Sequence, residues 1–216
     1  MSYPPRPYRV EDPDAAVALM REFPFAHLIT ASGGLRATRV PFVVDCEAGR
    51  PVRLRCHLDA RNPQAGTIDG TEVLVAFSGP AAYVSPNWRA DTSKGGTYDY
   101  EEVQVGGTAH TVDDSAFFFR LIDDLSALIE PRHRDIADHA VWQTPMAPEG
   151  HIARQLPLVT CFTVEIEQVS MVSKLHQNFP DRDRRSVAEH LARSGRDEVR
   201  SVGARIRALL GTPEAE

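Results

Sequence analysis

The sequence predicts an α+β fold: an antiparallel β-barrel with helices added late in the chain. Three observations predict it. Strand-like segments follow one another from residue 26 to 112, several alternating apolar and polar residues at period two. Helical patterns then appear at 113–130 and after Pro180. No internal repeat and no extended low-complexity tract interrupts 216 residues, a length that suits one domain over 1–211, with C-terminal helices at about 180–211 and a flexible tail at 212–216.

Element by element, "DPDAAVALMRE" (12–22) opens on an Asp-Pro pair suited to an N-cap and first turn, and Val17, Leu19 and Met20 form an apolar face. "AHLITAS" (26–32), the turn "GG" and "LRATRVPFVVD" (35–45) predict a hairpin. In "PVRLRCHLD" (51–59) Val52, Leu54, Cys56 and Leu58 face one way, and Arg53, Arg55, His57 and Asp59 the other. "TEVLVAFSG" (71–79) is more continuously apolar and reads as a strand covered on both sides. Short β-like pieces flank a Gly-rich loop before "YEEVQVGGTAHTV" (100–112) resumes a strand. "DDSAFFFRLIDDLSALIE" (113–130) is a helix with Phe117, Phe118, Leu121, Leu125 and Leu128 in a stripe. A strand centred on 158–168 precedes two polar helices, "DRDRRSVAEHLARS" and "DEVRSVGARIRALLG", the second stopped by Gly211.

Composition bounds the function. No apolar run approaches the roughly 20 residues of a membrane span, and the N-terminus lacks a signal-peptide core, so a cytoplasmic protein is expected. Cys46, Cys56 and Cys161 have no CxxC spacing, which speaks against a disulfide framework or zinc site. The net charge of −6 argues against a dedicated nucleic-acid surface. GxGxxG, P-loop, HExxH and GxSxG motifs are absent.

Three short stretches carry chemistry. In "RATRVP" (36–41), Arg36 and Thr38 share a strand face and Arg39 takes the other unless a bulge intervenes; guanidinium and hydroxyl groups suit phosphate or carboxylate oxygens, and a solvated edge strand explains them equally. His57 in "RCHLDARNPQ" has the donor type of an iron ligand or of a hydrogen-bonded strand histidine. "SKLHQNFPDRDRR" gathers Lys174, His176, Gln177 and Asn178 before a Pro-led helix, a place for holding anions or polar ring edges, or a capping loop.

Taken together, "YRVEDPDAAVALMREFPFAHLITASGG", "RATRVPFVVD", "CHLDARNPQ", "VLVAFSGPAAYVSPNW" and "KLHQNFPDRDRRSVAEHL" resemble the PaiB-like flavin-mononucleotide-binding split barrels, often described as negative transcriptional regulators. The resemblance covers most of the chain and implies a split β-barrel homodimer with cofactor pockets at the subunit interface. It implies cofactor contacts from Arg36, Thr38, Arg39, Arg61, Asn62, Ser85, Trp88, Gln177 and Asn178. The chain departs from the family's Pro-Thr-Trp-Asn-Tyr loop and the histidine-bearing strand after it. Gly96, Tyr98 and Asp99 stand for the proline, tryptophan and asparagine, and Gln104 lies near where the histidine belongs. His176 takes the serine's place in Lys-Leu-Ser-Gln-Asn.

These changes fall on groups around a flavin, and one branch of the family, the piperazate synthases, has exchanged flavin for haem. Similarity to that branch implies haem b with His57 as axial ligand, and propionates held by Arg36, Arg39 and Arg61. The implied reaction closes N5-hydroxy-L-ornithine, a small amino-acid substrate, into L-piperazic acid with loss of water. Lys174, His176, Asp99 and Tyr98 are acid–base candidates by residue type, and Arg89 or Lys174 a counterion for the substrate carboxylate. The alternatives are an FMN-binding oxidoreductase and a PaiB-like regulator.

Overall fold

A computed structural model describes residues 4–210; the expected tail and the helix stop at Gly211 lie outside the described residues. Eight strands and four α-helices run in the order β1 (Arg9–Val10), α1 (Pro13–Glu22), β2 (Phe25–Thr30), β3 (Arg36–Pro41), β4 (Val43–Glu47), β5 (Arg50–Asp59), β6 (Thr71–Val84), β7 (Thr97–Thr111), α2 (Ser115–Ile129), β8 (Val159–Lys174), α3 (Asp181–Ala192) and α4 (Asp197–Ala208). Two compact units result: one from the described parts of 1–11, 78–103 and 170–216, the other from 12–77 and 104–169. Strands β6, β7 and β8 each contribute residues to both.

The larger unit holds the sheet in the order β3-β2-β6-β7-β8-β5-β4. Contact between β3 and β5, which lie far apart in that order, shows that the sheet curls on itself into the half-barrel expected of a split barrel. Phe42, Phe77 and Phe162 fill its interior, with Phe42 edge-on to the other two rings at 5.8 and 6.3 Å. The alternation expected over 51–59 is present: Leu54, Cys56 and Leu58 are buried, and Arg53, Arg55 and His57 lie on the other face, half-exposed. Arg55 there bridges Asp45 and Asp124, at 2.9 and 2.7 Å, fastening β5 to β4 and α2. The stripe of α2 seals this side, with Phe117, Phe118, Leu121 and Leu125 packing on Cys161.

Two strand expectations need correction. Residues 35–45 are not one strand: Phe42 turns fully into the core, so 36–41 pair with β2 while 43–47 pair with β5. The apolar run at 71–79 is not covered on both sides in this unit. Val73, Val75 and Phe77 are buried, whereas Leu74 stays 36% exposed.

In the smaller unit β1 pairs with the end of β8, Arg9 opposite Val172. The two C-terminal helices pack Val187, Ala188 and Leu191 against Val199, Val202 and Ile206, with Ala82 and Val84 of β6 and Leu175, just past the end of β8, in the same cluster. Gly203 permits the close approach, since a Cβ there would stand 3.0 Å from that of Leu191. Among the described residues no helix is long and apolar enough to cross a membrane.

Candidate functional site

The larger unit places its candidates on β3, at the end of β5 and in the turn that follows. Pairing of β2 with β3 is regular from Phe25–Pro41 to Thr30–Arg36, so no bulge intervenes. Arg36 and Thr38 therefore share one face and Arg39 lies on the opposite one, its guanidinium 4.7 Å over the Phe25 ring. The three arginines expected to hold the haem propionates are committed differently: Arg39 lies over Phe25, Arg61 pairs with Asp59, and Arg36 alone keeps most of its fork free. Arg61 closes a fork with Asp59, at 2.6 and 3.0 Å, and is almost fully exposed. This pairing holds the Asp59 carboxyl down at about 2.

Thr38 instead sits inside a network. Its hydroxyl donates to Gln64 Oε1 at 2.5 Å and accepts from Asn62 Nδ2 at 3.0 Å. Gln64 is fully buried and donates to Thr30 Oγ1 and to the Leu28 carbonyl. Asn62 Oδ1 accepts the Gln64 amide N–H at 2.9 Å, an Asx turn that forms the bend after Asp59. The network pins the β3 hydroxyl to the 59–66 turn. On the same face Arg36 spends one N–H on the Gly33 carbonyl, at 3.3 Å, which leaves most of its fork free. Sequence reasoning missed Gln64; its signal was a polar residue closing "NPQ" beside Asn62.

His57 lies directly opposite Cys161 across β5 and β8, edge-on to Phe118 with ring centroids 5.7 Å apart. Burial lowers its pKa, so the neutral imidazole is favoured at neutral pH. Nδ1 is buried without a hydrogen-bond partner. Asp59, two residues on along the same strand face, is committed to Arg61. The neighbouring hollow of about 320 Å³ is lined by Val112, Asp113, Asp114, Leu156 and Cys161 among others. Burial also pushes the Cys161 thiol up to about 11, which keeps it protonated.

The smaller unit joins two of the departures noted in the sequence. Asp99 Oδ2 and His176 Nδ1, 77 residues apart in the chain, meet at 2.6 Å with both side chains completely enclosed. His176 reaches this position through a left-handed backbone, φ +63°, where a non-glycine residue is strained. Its ring stacks on Phe179 with centroids 4.3 Å apart. Asp99 Oδ1 and His176 Nε2 are buried without partners. Lys174 Nζ bonds Thr97 Oγ1 and lies 6.0 Å from the Tyr8 ring, whose phenol is raised by burial first and by the Asp99 charge second. Tyr8 had no motif in the sequence to mark it.

The remaining candidates are spread out. Tyr98 is 60% exposed and meets Tyr83 edge-on at 5.8 Å. Ser85 caps the turn at Pro86–Trp88 by accepting the Asn87 N–H, and Trp88 stacks on His190 at 5.4 Å. Gln177 braces its own turn, accepting from the Leu175 N–H and donating to the Ser173 carbonyl, while Asn178 is exposed.

Comparison with known proteins fits this geometry. Residues 2–168 match the family model described as "Putative FMN-binding domain". The "Protease synthase and sporulation protein PAI 2" of Bacillus subtilis is 26% identical over 193 residues, 88% of either chain. The flavocytochrome Anf3 of Azotobacter vinelandii superimposes with a TM-score of 0.57 at 14% identity, covering 77% of this chain and 69% of its own. A FAD and heme binding protein of Mycobacterium smegmatis does so with a TM-score of 0.56 at 13% identity, over 77% and 73%. These two structures are similar in fold alone. With more than three quarters of its length matched, the chain belongs to the FMN-binding domain family and has its split-barrel fold.

Proposed function

We propose that this chain is a flavin-mononucleotide-binding redox protein whose phosphate corner is formed by Arg36, Thr38 and Asn62. The observation that carries the reading is the Thr38–Asn62–Gln64 network, which fixes a hydroxyl and an amide on the face that bears a largely free guanidinium. An oxyanion needs donors held in advance. This corner supplies the Arg36 fork and the second Nδ2 hydrogen of Asn62, while the Thr38 hydroxyl spends its proton on Gln64 and holds Asn62 in place. Bound flavin would provide hydride and electron transfer; the chain's part is to hold the phosphate and orient the ring. The reading carries with it the homodimer that the resemblance implied and the cytoplasmic location expected from the sequence.

A second reading is favoured by His57. Its neutral imidazole has no carboxylate or carbonyl competing for it among the described residues, and it fits an iron-ligating donor in protonation state. Fit is partial, because a ligating imidazole ordinarily donates its other N–H to an acceptor and Nδ1 has none. On this reading the protein is a haem b-dependent cyclase acting on N5-hydroxy-L-ornithine: His57 would hold the haem, which would supply a Lewis acid for the N–O bond. Ring closure would also need an acid for the departing oxygen and a base for the α-amine. A PaiB-like regulatory role is the non-enzymatic alternative.

One experiment separates the readings. The full chain is purified, supplied with FMN and with haemin in parallel, and its absorption spectra are recorded for the parent, Arg36→Gln, Thr38→Val and His57→Ala. A flavin spectrum that survives His57→Ala and is lost in Arg36→Gln supports the first reading. A Soret band that vanishes in His57→Ala, with no flavin retained by any form, replaces it with the second.

A further inference from the structure

The smaller unit contains a buried cation with too few acceptors. Arg89 is 5% exposed and stands in no ion pair with a carboxylate among the described residues. Its Nη2 donates to the carbonyls of Lys94 and Gly95, at 2.6 and 2.8 Å. Its Nε and Nη1 are buried with no partner. A guanidinium out of water costs several kcal/mol unless its N–H groups are met, so donors left over in such a place call for an acceptor.

The surroundings define that acceptor. Arg89 lies 4.5 Å over the Phe179 ring and Lys94 Nζ 5.1 Å from the same centroid, so two cations share one aromatic face-to-charge contact. Residues 91–96, "DTSKGG", are all exposed, and the loop is fastened from within by Arg89 Nη2 and at its start by Asp183, which accepts the Ala90 N–H at 2.9 Å. We propose that Arg89 and Lys94, beneath the 89–96 loop, form a receptor for the carboxylate of a small molecule, with the loop opening to admit it and Arg89 tying loop and ligand together. A single negative charge suits the site better than a dianion. Asp99 and Asp183, both buried in this unit, and Asp91 on the loop already offset part of the positive charge. The proposal stands on this unit alone and is independent of which prosthetic group the protein holds.

The test uses the full chain without added cofactor, reading tryptophan fluorescence, to which Trp88 beside Arg89 contributes, and amide hydrogen exchange over 89–96. Pentanoate and L-ornithine are titrated, with putrescine as the amine lacking a carboxylate and inorganic phosphate as the competing oxyanion. Expected are saturable responses to pentanoate and ornithine, none to putrescine, and slower exchange across the loop. Arg89→Lys keeps the charge but loses the fork, and weakens pentanoate by about tenfold to a hundredfold. Lys94→Ala, an exposed change that leaves folding intact, weakens it by a few fold. The proposal is overturned if neither carboxylate gives a saturable response, if Lys94→Ala and Arg89→Lys both bind as the parent does, or if phosphate binds in preference to pentanoate. Failure here leaves the flavin and haem spectra untouched, so the two conclusions fail separately.

Discussion

Replacing His176 tests whether its strained backbone exists to serve Asp99. Both side chains are fully enclosed, and among the described residues the imidazole is the one hydrogen-bond partner of the Asp99 carboxylate, whose second oxygen has none. His176→Ala leaves that carboxylate alone in a dry site, and removing one partner of a buried pair costs about 3–5 kcal/mol. It also keeps a Cβ at φ +63°. His176→Gly removes the same contact but relieves left-handed strain of roughly 1–2 kcal/mol, against about 0.4–1 kcal/mol of added unfolded-state entropy. The glycine variant is therefore expected to be more stable than the alanine variant by about 0.5–1 kcal/mol, although it deletes more atoms. Asp99→Ala in the His176→Ala background should recover about 0.5–3 kcal/mol of the sum of the single losses. Urea unfolding followed by circular dichroism measures all four forms. A glycine variant no more stable than alanine, together with additive single losses, would refute both the strain and the pairing.

Three further outcomes follow from local geometry. Gly107→Ala puts a Cβ 2.1 Å from the Glu165 carbonyl oxygen and is expected to cost about 1–3 kcal/mol or more, whereas Gly106→Ala meets nothing nearer than 3.8 Å and should be close to neutral; thermal midpoints of the two variants decide this. Because burial lowers the His57 pKa below the ordinary histidine value of about 6.5, the unfolded chain takes the proton first, so stability falls as pH drops through that value. His57→Phe should flatten that part of the pH–stability curve, and an unchanged slope would show that His57 does not titrate this way. Asp59, held at about 2 by Arg61, contributes stability that is present above the ordinary carboxylate value and lost as pH falls toward 2. In Arg61→Ala its carboxyl, followed by carbon-13 NMR, should rise toward the ordinary range while the backbone N–H of residue 61 still bonds it, and no movement would exclude the fork as the cause.

How far the sequence could be read depended on how local each signal was. Alternation in 51–59 and the α2 stripe are decided by neighbours in the chain, and both elements form where the pattern put them. The break at Phe42 was hidden, because β-branched residues on both sides of Pro41 read as one strand and only the curl of the sheet turns Phe42 inward. The over-long β6 and β8 escaped notice for a related reason: Pro80 and the polar run Glu165–Ser170 look like strand ends, yet pairing continues around them. At the site, "RATRVP" and "NPQ" were visible as separate stretches. Thr38 reaching both Asn62 and Gln64 is a property of the folded turn, 24 and 26 residues away.

Burial also sorts the four residues that the sequence marked for acid–base work. Tyr98 points outward and touches Tyr83. Asp99 and His176 have no exposed side-chain atoms, so in this conformation neither can meet a ligand arriving from solvent. Their contribution is to position: Asp99 and His176 Nδ1 meet at 2.6 Å, and the imidazole so held stacks on Phe179, the ring that Arg89 and Lys94 approach. Lys174 alone of the four is half-buried, holding its ammonium between Thr97 and the Tyr8 ring. Asp99 and His176 satisfy one polar atom each in the other, and leave Oδ1 and Nε2 buried without a partner among the described residues. Removing either alone therefore strands a further buried polar group, and the pair acts first as a packing element of the smaller unit.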